Sequence, residues 1–215
     1  MMTYIDLTIN YVKKELENVE AGHDWFHIER VYKNALNLLK EEKANEQVVI
    51  LGALLHDIAD SKFHNGDETI GPKKALDFMN TLDISDDVKD HVVKVIENIS
   101  FKGGNFERKF TSKELDIVQD ADRLDAIGAI GIARAFQYGG FKNRTIYNPE
   151  EKPKFNMTKE EYKKHEGTTI NHFYEKLLLL KDLMNTETGK QIAQNRHEHM
   201  EGFLKQFLDE VEGVK

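Results

Sequence analysis

Apolar residues recur along this chain in steps of three and four, and that spacing admits helices and little else. Ile5, Ile9, Val12, Leu16 and Val19 draw one stripe on a first segment, the mark of a helix with one face turned to a core. Similar spacing predicts helices near 3–20, 24–42, 46–60, 72–82, 85–99, 112–138, 158–184 and 187–211. No alternating strand pattern competes with them. The expected fold is all-α: one compact domain over 1–215, a bundle of about eight helices with no sheet. An apolar content of 40% is enough for a substantial core. Two of the three prolines, Pro149 and Pro153, fall between Gly139 and Met157. That segment opens on Gly-Gly and has no clear period, so it reads as a long loop, either a lid or binding element or a plain surface excursion.

Charge and cysteine count remove several function classes. With 38 acidic against 30 basic residues the net charge is -8, so the molecule as a whole repels a phosphate backbone and no nucleic-acid partner is expected. There is no cysteine, which removes disulfides, thiolate metal sites and a cysteine nucleophile together. Any metal must be held by nitrogen and oxygen. The start, Met-Met-Thr-Tyr-Ile-Asp-Leu, lacks the basic opening and apolar centre of a signal peptide. No apolar run approaches the roughly 20 residues that span a bilayer. A cytoplasmic protein with no membrane partner is the expectation.

Against that background, Leu54-Leu55-His56-Asp57-Ile58-Ala59-Asp60 stands out, because it closes one of the most apolar stretches of the chain. A carboxylate buried there needs a cation, either Arg or Lys or a metal. His27 shares a stripe with Val31 and Ala35 and faces inward. Asp122 shares one with Leu115, Val118, Ala126 and Ala129, whereas Asp120 falls off that stripe and Asp125 sits at its edge, which suits a solvated face or a pair with Arg123. Two imidazoles and two carboxylates from three helices make a consistent nitrogen and oxygen site for Mn²⁺, Fe²⁺, Co²⁺, Ni²⁺, Zn²⁺ or Mg²⁺. Four protein ligands on a six-coordinate ion leave positions for a water and a substrate oxygen. The run His23-Asp24-Trp25-Phe26-His27 has the His-x-x-x-His spacing of zinc peptidases, but Asp replaces their Glu, and that reading leaves His56-Asp57 unexplained. Among the other histidines, His197 and His199 read as a solvated surface and His165 and His172 as packing.

The order His27, His56-Asp57, Asp122 resembles the HD superfamily of metal-dependent phosphohydrolases. The local contexts agree: His27-Ile28-Glu29-Arg30-Val31, Leu54-Leu55-His56-Asp57-Ile58 and Asp120-Ala121-Asp122-Arg123-Leu124 look like the three motif helices of the family. This motif region covers about 23–130, with the C-terminal helices over 158–211 packed on it. The resemblance implies an HD-domain helical bundle in which His27, His56, Asp57 and Asp122 bind one divalent ion, Mn²⁺ favoured. It also places at Asp60 an acid that orients the attacking water beside Asp57. His64 and His91 match no pattern for a second metal.

The substrate reading rests on local charge. Phe101 to Lys113 and Gly139 to Met157 are basic segments of an acidic chain, and His23, Arg30, Lys62 and Lys102 are the expected phosphate contacts. The surrounding matches look most like small bacterial HD hydrolases related to nucleotide pyrophosphohydrolases. That implies hydrolysis of a nucleoside triphosphate to the monophosphate and pyrophosphate. Competing readings are a nucleoside 5′-monophosphate phosphatase, a cyclic-nucleotide phosphodiesterase, and a sensor that binds metal and nucleotide without turnover. A homodimer is a further expectation.

Overall fold

The computed structural model describes residues 2–17, 24–59, 67–99, 110–155, 157, 165 and 167–214. Nine α-helices and one 3₁₀ segment account for the regular structure of these residues, and there is no strand among them. In chain order the helices are α1 (Tyr4–Glu15), α2 (Trp25–Leu38), α3 (Glu46–Leu55), α4 (Ile70–Met79), α5 (Asp86–Asn98), α6 (Lys113–Asp125), α7 (Gly128–Phe141), α8 (Thr169–Glu175) and α9 (Glu187–Val211); the 3₁₀ segment, Leu177–Leu183, lies between α8 and α9. The all-α expectation is met. The chain divides into two compact units, one of α1 to α5 with α6 as far as Asp122, the other from Arg123 onward.

In the first unit the core is α3. Every residue from Val48 to Leu55 is buried, so the helix shows no amphipathic face and is wrapped by α1, α2 and α5. Each fully buried aliphatic side chain of this kind contributes about 1.5–3 kcal/mol relative to exposure. Asn45 caps α3 by accepting from the Gln47 and Val48 N–H groups, and its own N–H donates to Glu114 Oε1 on α6 at 2.8 Å. Burial raises the Glu114 carboxyl, but hydrogen bonds from the Asn45 and Glu114 N–H groups and the charge of His91 outweigh it and hold it below the usual range. At the entry of the unit, Thr3 and Asp6 form a reciprocal capping box on α1. Tyr11 of α1 stacks on Phe78 of α4 at 4.1 Å, beside the Glu15–Lys74 ion pair at 2.7 Å.

The second unit is built on aromatic packing. Phe136 of α7, Phe173 of α8, and Phe203 and Phe207 of α9 form one cluster, with Tyr147 at its edge. The segment after α7 is strapped to α8: the Thr169 and Ile170 N–H groups donate to the Thr145 and Ile146 carbonyls at 3.0 Å, and Asn171 Nδ2 donates to the Glu151 carbonyl at 3.0 Å. The two backbone bonds satisfy N–H groups that a helix start leaves without partners.

Three helix expectations need correction. The helix read over 112–138 is two helices, because the chain breaks at Ala126-Ile127 and Gly128 takes a φ of 74°, a conformation that only glycine adopts without strain. The helix expected over 46–60 ends at Leu55, with His56 as its cap. Over 158–184, Gly167 and Thr168 are not helical, and the regular structure is the short α8 followed by the 3₁₀ segment; 158–164 and 166 lie outside the described residues. The long loop is correspondingly shorter, since Gly139 and Gly140 belong to the last turn of α7.

Candidate metal centre

His27 sits in the first turn of α2, where Asp24 is the N-cap and accepts from the His27 N–H at 3.0 Å. That cap fixes where the helix begins and hence which way the imidazole leaves it. The ring is buried, with 3% of its side chain exposed, and its Nε2 lies 3.5 Å from Asp122 Oδ1. His56 ends α3, and its Nδ1 lies 2.9 Å from the Ala53 carbonyl. A carbonyl only accepts, so Nδ1 carries the proton and Nε2 keeps its lone pair. That nitrogen lies 3.9 Å from Asp122 Oδ1. The two rings meet edge to face, with centroids 5.4 Å apart. Asp57, half-buried in the turn after His56, brings a carboxylate oxygen to the same place: the donor atoms of His27, His56 and Asp57 all lie within 4.8 Å of one another.

The 3.5 and 3.9 Å separations from Asp122 fit an ion, and the 4.8 Å bound on the other three lies a little above its span. Donors each about 2.0–2.2 Å from one metal lie roughly 3–4.4 Å apart, according to the angle between them. The contacts from His27 and His56 to Asp122 are too long for hydrogen bonds, so the imidazoles face the carboxylate across a gap. The His56 ring takes its orientation from outside the group, from the Ala53 carbonyl, as a ligand histidine requires. The Asp122 side chain is 40% exposed, which gives the centre an open edge. Among the described residues this is the one group of three such donors.

Asn34 was not legible as part of this arrangement. It lies seven residues after His27, on the same face of α2, and its Nδ2 donates to the Ala121 carbonyl at 3.0 Å. One helix thus presents a candidate ligand, His27, and holds the backbone beside another, Asp122. Gln119 Nε2 ties α6 to the Asn98 carbonyl of α5 at 3.0 Å. His91 is engaged elsewhere: its Nε2 lies 2.9 Å from Ser112 Oγ and 3.4 Å from Glu114 Oε2.

Of the expected phosphate contacts, Arg30 is half-buried on α2, three residues after His27. His23, Asp60, Lys62, Lys102 and His64 lie outside the described residues. The reading of Asp120 and Asp125 as solvated is overturned. Both are buried, at 0% and 1% exposure; Asp125 pairs with Arg134, and Arg123 donates to the Leu183 carbonyl. The reading of His197 as surface is also corrected: it is buried, with Nε2 3.3 Å from Glu201 Oε1, while His199 is exposed.

Residues 25–127 match the family model of the HD domain. YpgQ of Bacillus subtilis (strain 168) is 34% identical over 95% of this chain and 92% of its own length. The chain belongs to the HD superfamily. A crystal structure of an HD-superfamily hydrolase from Bacillus thuringiensis is 44% identical, covers 97% of this chain and 96% of that one, and has a TM-score of 0.77. The crystal structure of a Lactobacillus plantarum protein is 37% identical over 99% of this chain and 100% of that one, with a TM-score of 0.83. YpgQ has been crystallised in complex with ADP; that structure is 33% identical over 98% of this chain and 100% of its own, with a TM-score of 0.75. This HD chain is accordingly a hydrolase of the metal-dependent phosphohydrolase class, and a divalent ion is its cofactor.

Proposed function

We propose that the whole chain, 1–215, is one HD hydrolase that cleaves a nucleoside triphosphate to the monophosphate and pyrophosphate, with one divalent ion, Mn²⁺ favoured, held by His27, His56, Asp57 and Asp122. The convergence of His27, His56 and Asp57 on a point faced by Asp122 carries the metal assignment. The nucleotide assignment is supported by the ADP complex of YpgQ, a relative along nearly the full chain. When bound, the ion lowers the pKa of water and polarises a phosphoryl oxygen.

The chain's own residues do the rest. The Ala53 carbonyl holds the His56 Nδ1 proton and aims Nε2 into the centre. Asp24 and Asn34 set the two ends of the α2 face that carries His27. Asp57 supplies charge to the site, and Asp60 orients the attacking water and takes its proton. His23, Arg30, Lys62 and Lys102 bind phosphate oxygens, where positive charge offsets the charge spread over the oxygens as the P–O bond breaks. The water oxygen forms the new bond to phosphorus, the bond to pyrophosphate breaks, and one proton is released.

The test is a nucleotide panel incubated with chelator-stripped protein resupplied with Mn²⁺, with products separated by chromatography. Pyrophosphate and a monophosphate are expected in equal amounts, and Asp57→Ala or excess chelator should bring turnover to background. Orthophosphate as the only product would replace this reading with a phosphatase. A folded, metal-loaded protein inert on every nucleotide would refute turnover altogether.

A further inference from the structure

Among the described residues of the first unit, one aromatic side chain stands in solvent. Phe26, in the first turn of α2, is 63% exposed, and no aromatic ring packs on it there. Its chain neighbour Trp25 is treated differently: it is half-buried, and the Lys13 ammonium of α1 covers its ring at 4.7 Å. The fold anchors one ring of the pair and leaves the other open. A single exposed apolar side chain is ordinary on a protein surface; what distinguishes Phe26 is where it stands.

Phe26, Arg30 and Asn34 follow one another by four residues and form a row along one flank of α2. Two contacts fix which way that flank looks. Asn34, at its far end, donates to the Ala121 carbonyl of α6 at 3.0 Å. Asp122, the next residue of α6, comes within 3.5 Å of His27 Nε2. The flank is therefore turned to α6 and to Asp122, whose 40% exposed side chain is the open edge of the metal centre. Phe26 directly precedes His27 and points about 100° round the helix from it, on the side of that edge and away from the side where Ile28 and Val31 are buried. Half-buried Arg30 follows in the row. A nucleotide whose phosphates lie at the centre carries its base one sugar away, and a base presents a flat face that stacks on an aromatic ring.

We propose that Phe26 stacks on the base of the nucleotide whose phosphates occupy the metal centre. This rests on the nucleotide reading above and names the residue that holds the base. A plain ring uses the face that every base has, so it favours a nucleotide without choosing which. The test uses the full chain loaded with Mn²⁺, at constant free Mn²⁺, titrated in a calorimeter with ADP and with pyrophosphate, which has phosphates and no base. Phe26→Ala should weaken ADP binding by about tenfold or more and leave pyrophosphate within about twofold. Phe26→Tyr keeps the ring and should bind ADP as the parent does. Mn²⁺ affinity and the urea midpoint should be unchanged in both variants, as for an exposed side chain. The proposal is overturned if Phe26→Ala binds ADP like the parent, if it weakens ADP and pyrophosphate alike, or if the parent binds no ADP. Turnover of a nucleoside triphosphate is followed separately. Hydrolysis with a KM that Phe26→Ala leaves unchanged refutes the stacking alone, and ADP held through Phe26 by a protein that cleaves no nucleotide refutes the hydrolysis alone.

Discussion

Asp125 shows what a buried carboxylate demands. It is shut from solvent on α6 and is tolerated because Arg134 pairs with it, while Arg196 beside it donates to the Leu124 carbonyl. Removing one partner of such a pair leaves an uncompensated charge, so Asp125→Ala should cost about 3–5 kcal/mol, read as a drop in the urea midpoint at unchanged slope. His172 gives a pH dependence. Its folded pKa of about 3 lies below the ordinary 6.5, so between those values the unfolded chain takes up a proton that the folded chain refuses. Stability contributed by neutral His172 is present above pH 6.5 and is lost as the pH falls toward 3. Urea midpoints measured from pH 7 to 5, in chelator and phosphate-free buffer, should fall with pH, and His172→Gln should flatten that slope. The acids of α6 also mark a limit of sequence reading. Asp122 was read as the inward acid from a stripe that runs past the end of α6, yet its side chain is 40% exposed, while Asp120 and Asp125, read as solvated, are the buried ones: a helix buried on several faces has no single apolar stripe against which to score a polar residue.

At the scale of elements, helix spacing made most of the helices legible to within a few residues, and the breaks were harder. The residues on both sides of Ala126 continue one period, so nothing in the spacing separates α6 from α7. What separates them is local: Gly128 at positive φ, and Gly131, where a Cβ would collide with the Ala126 carbonyl. Gly128→Ala and Gly131→Ala should each cost about 1–3 kcal/mol. Gly202 is the contrast, a mid-helix position on α9 with open space around it. There Ala should stabilise by about 0.5–1 kcal/mol. Thermal melts of the three variants, read against one another, check both signs. The end of α3 was missed for a similar reason: an all-apolar helix carries no periodic signal that could fade at Leu55.

For the whole molecule, the candidate ligand positions could be proposed from sequence because their neighbours follow family patterns, whereas their supports could not. Asn34, Gln119 and Glu114 act through contacts 21 to 87 residues away, and no local pattern announces a partner at that distance. No described helix is long and apolar enough to cross a membrane. The proposed chemistry depends on one centre assembled from α2, the end of α3 and α6. The measurement that bears on it most directly is a calorimetric titration of Mn²⁺ into chelator-stripped protein, repeated with His56→Gln and Asp122→Asn. One ion per chain is predicted, bound at least about tenfold more weakly by either variant, and at 100 times the dissociation constant it should stabilise the fold by about 2.7 kcal/mol. A protein that takes up no divalent ion, or binds it equally well without His56 and Asp122, would contradict the centre described here.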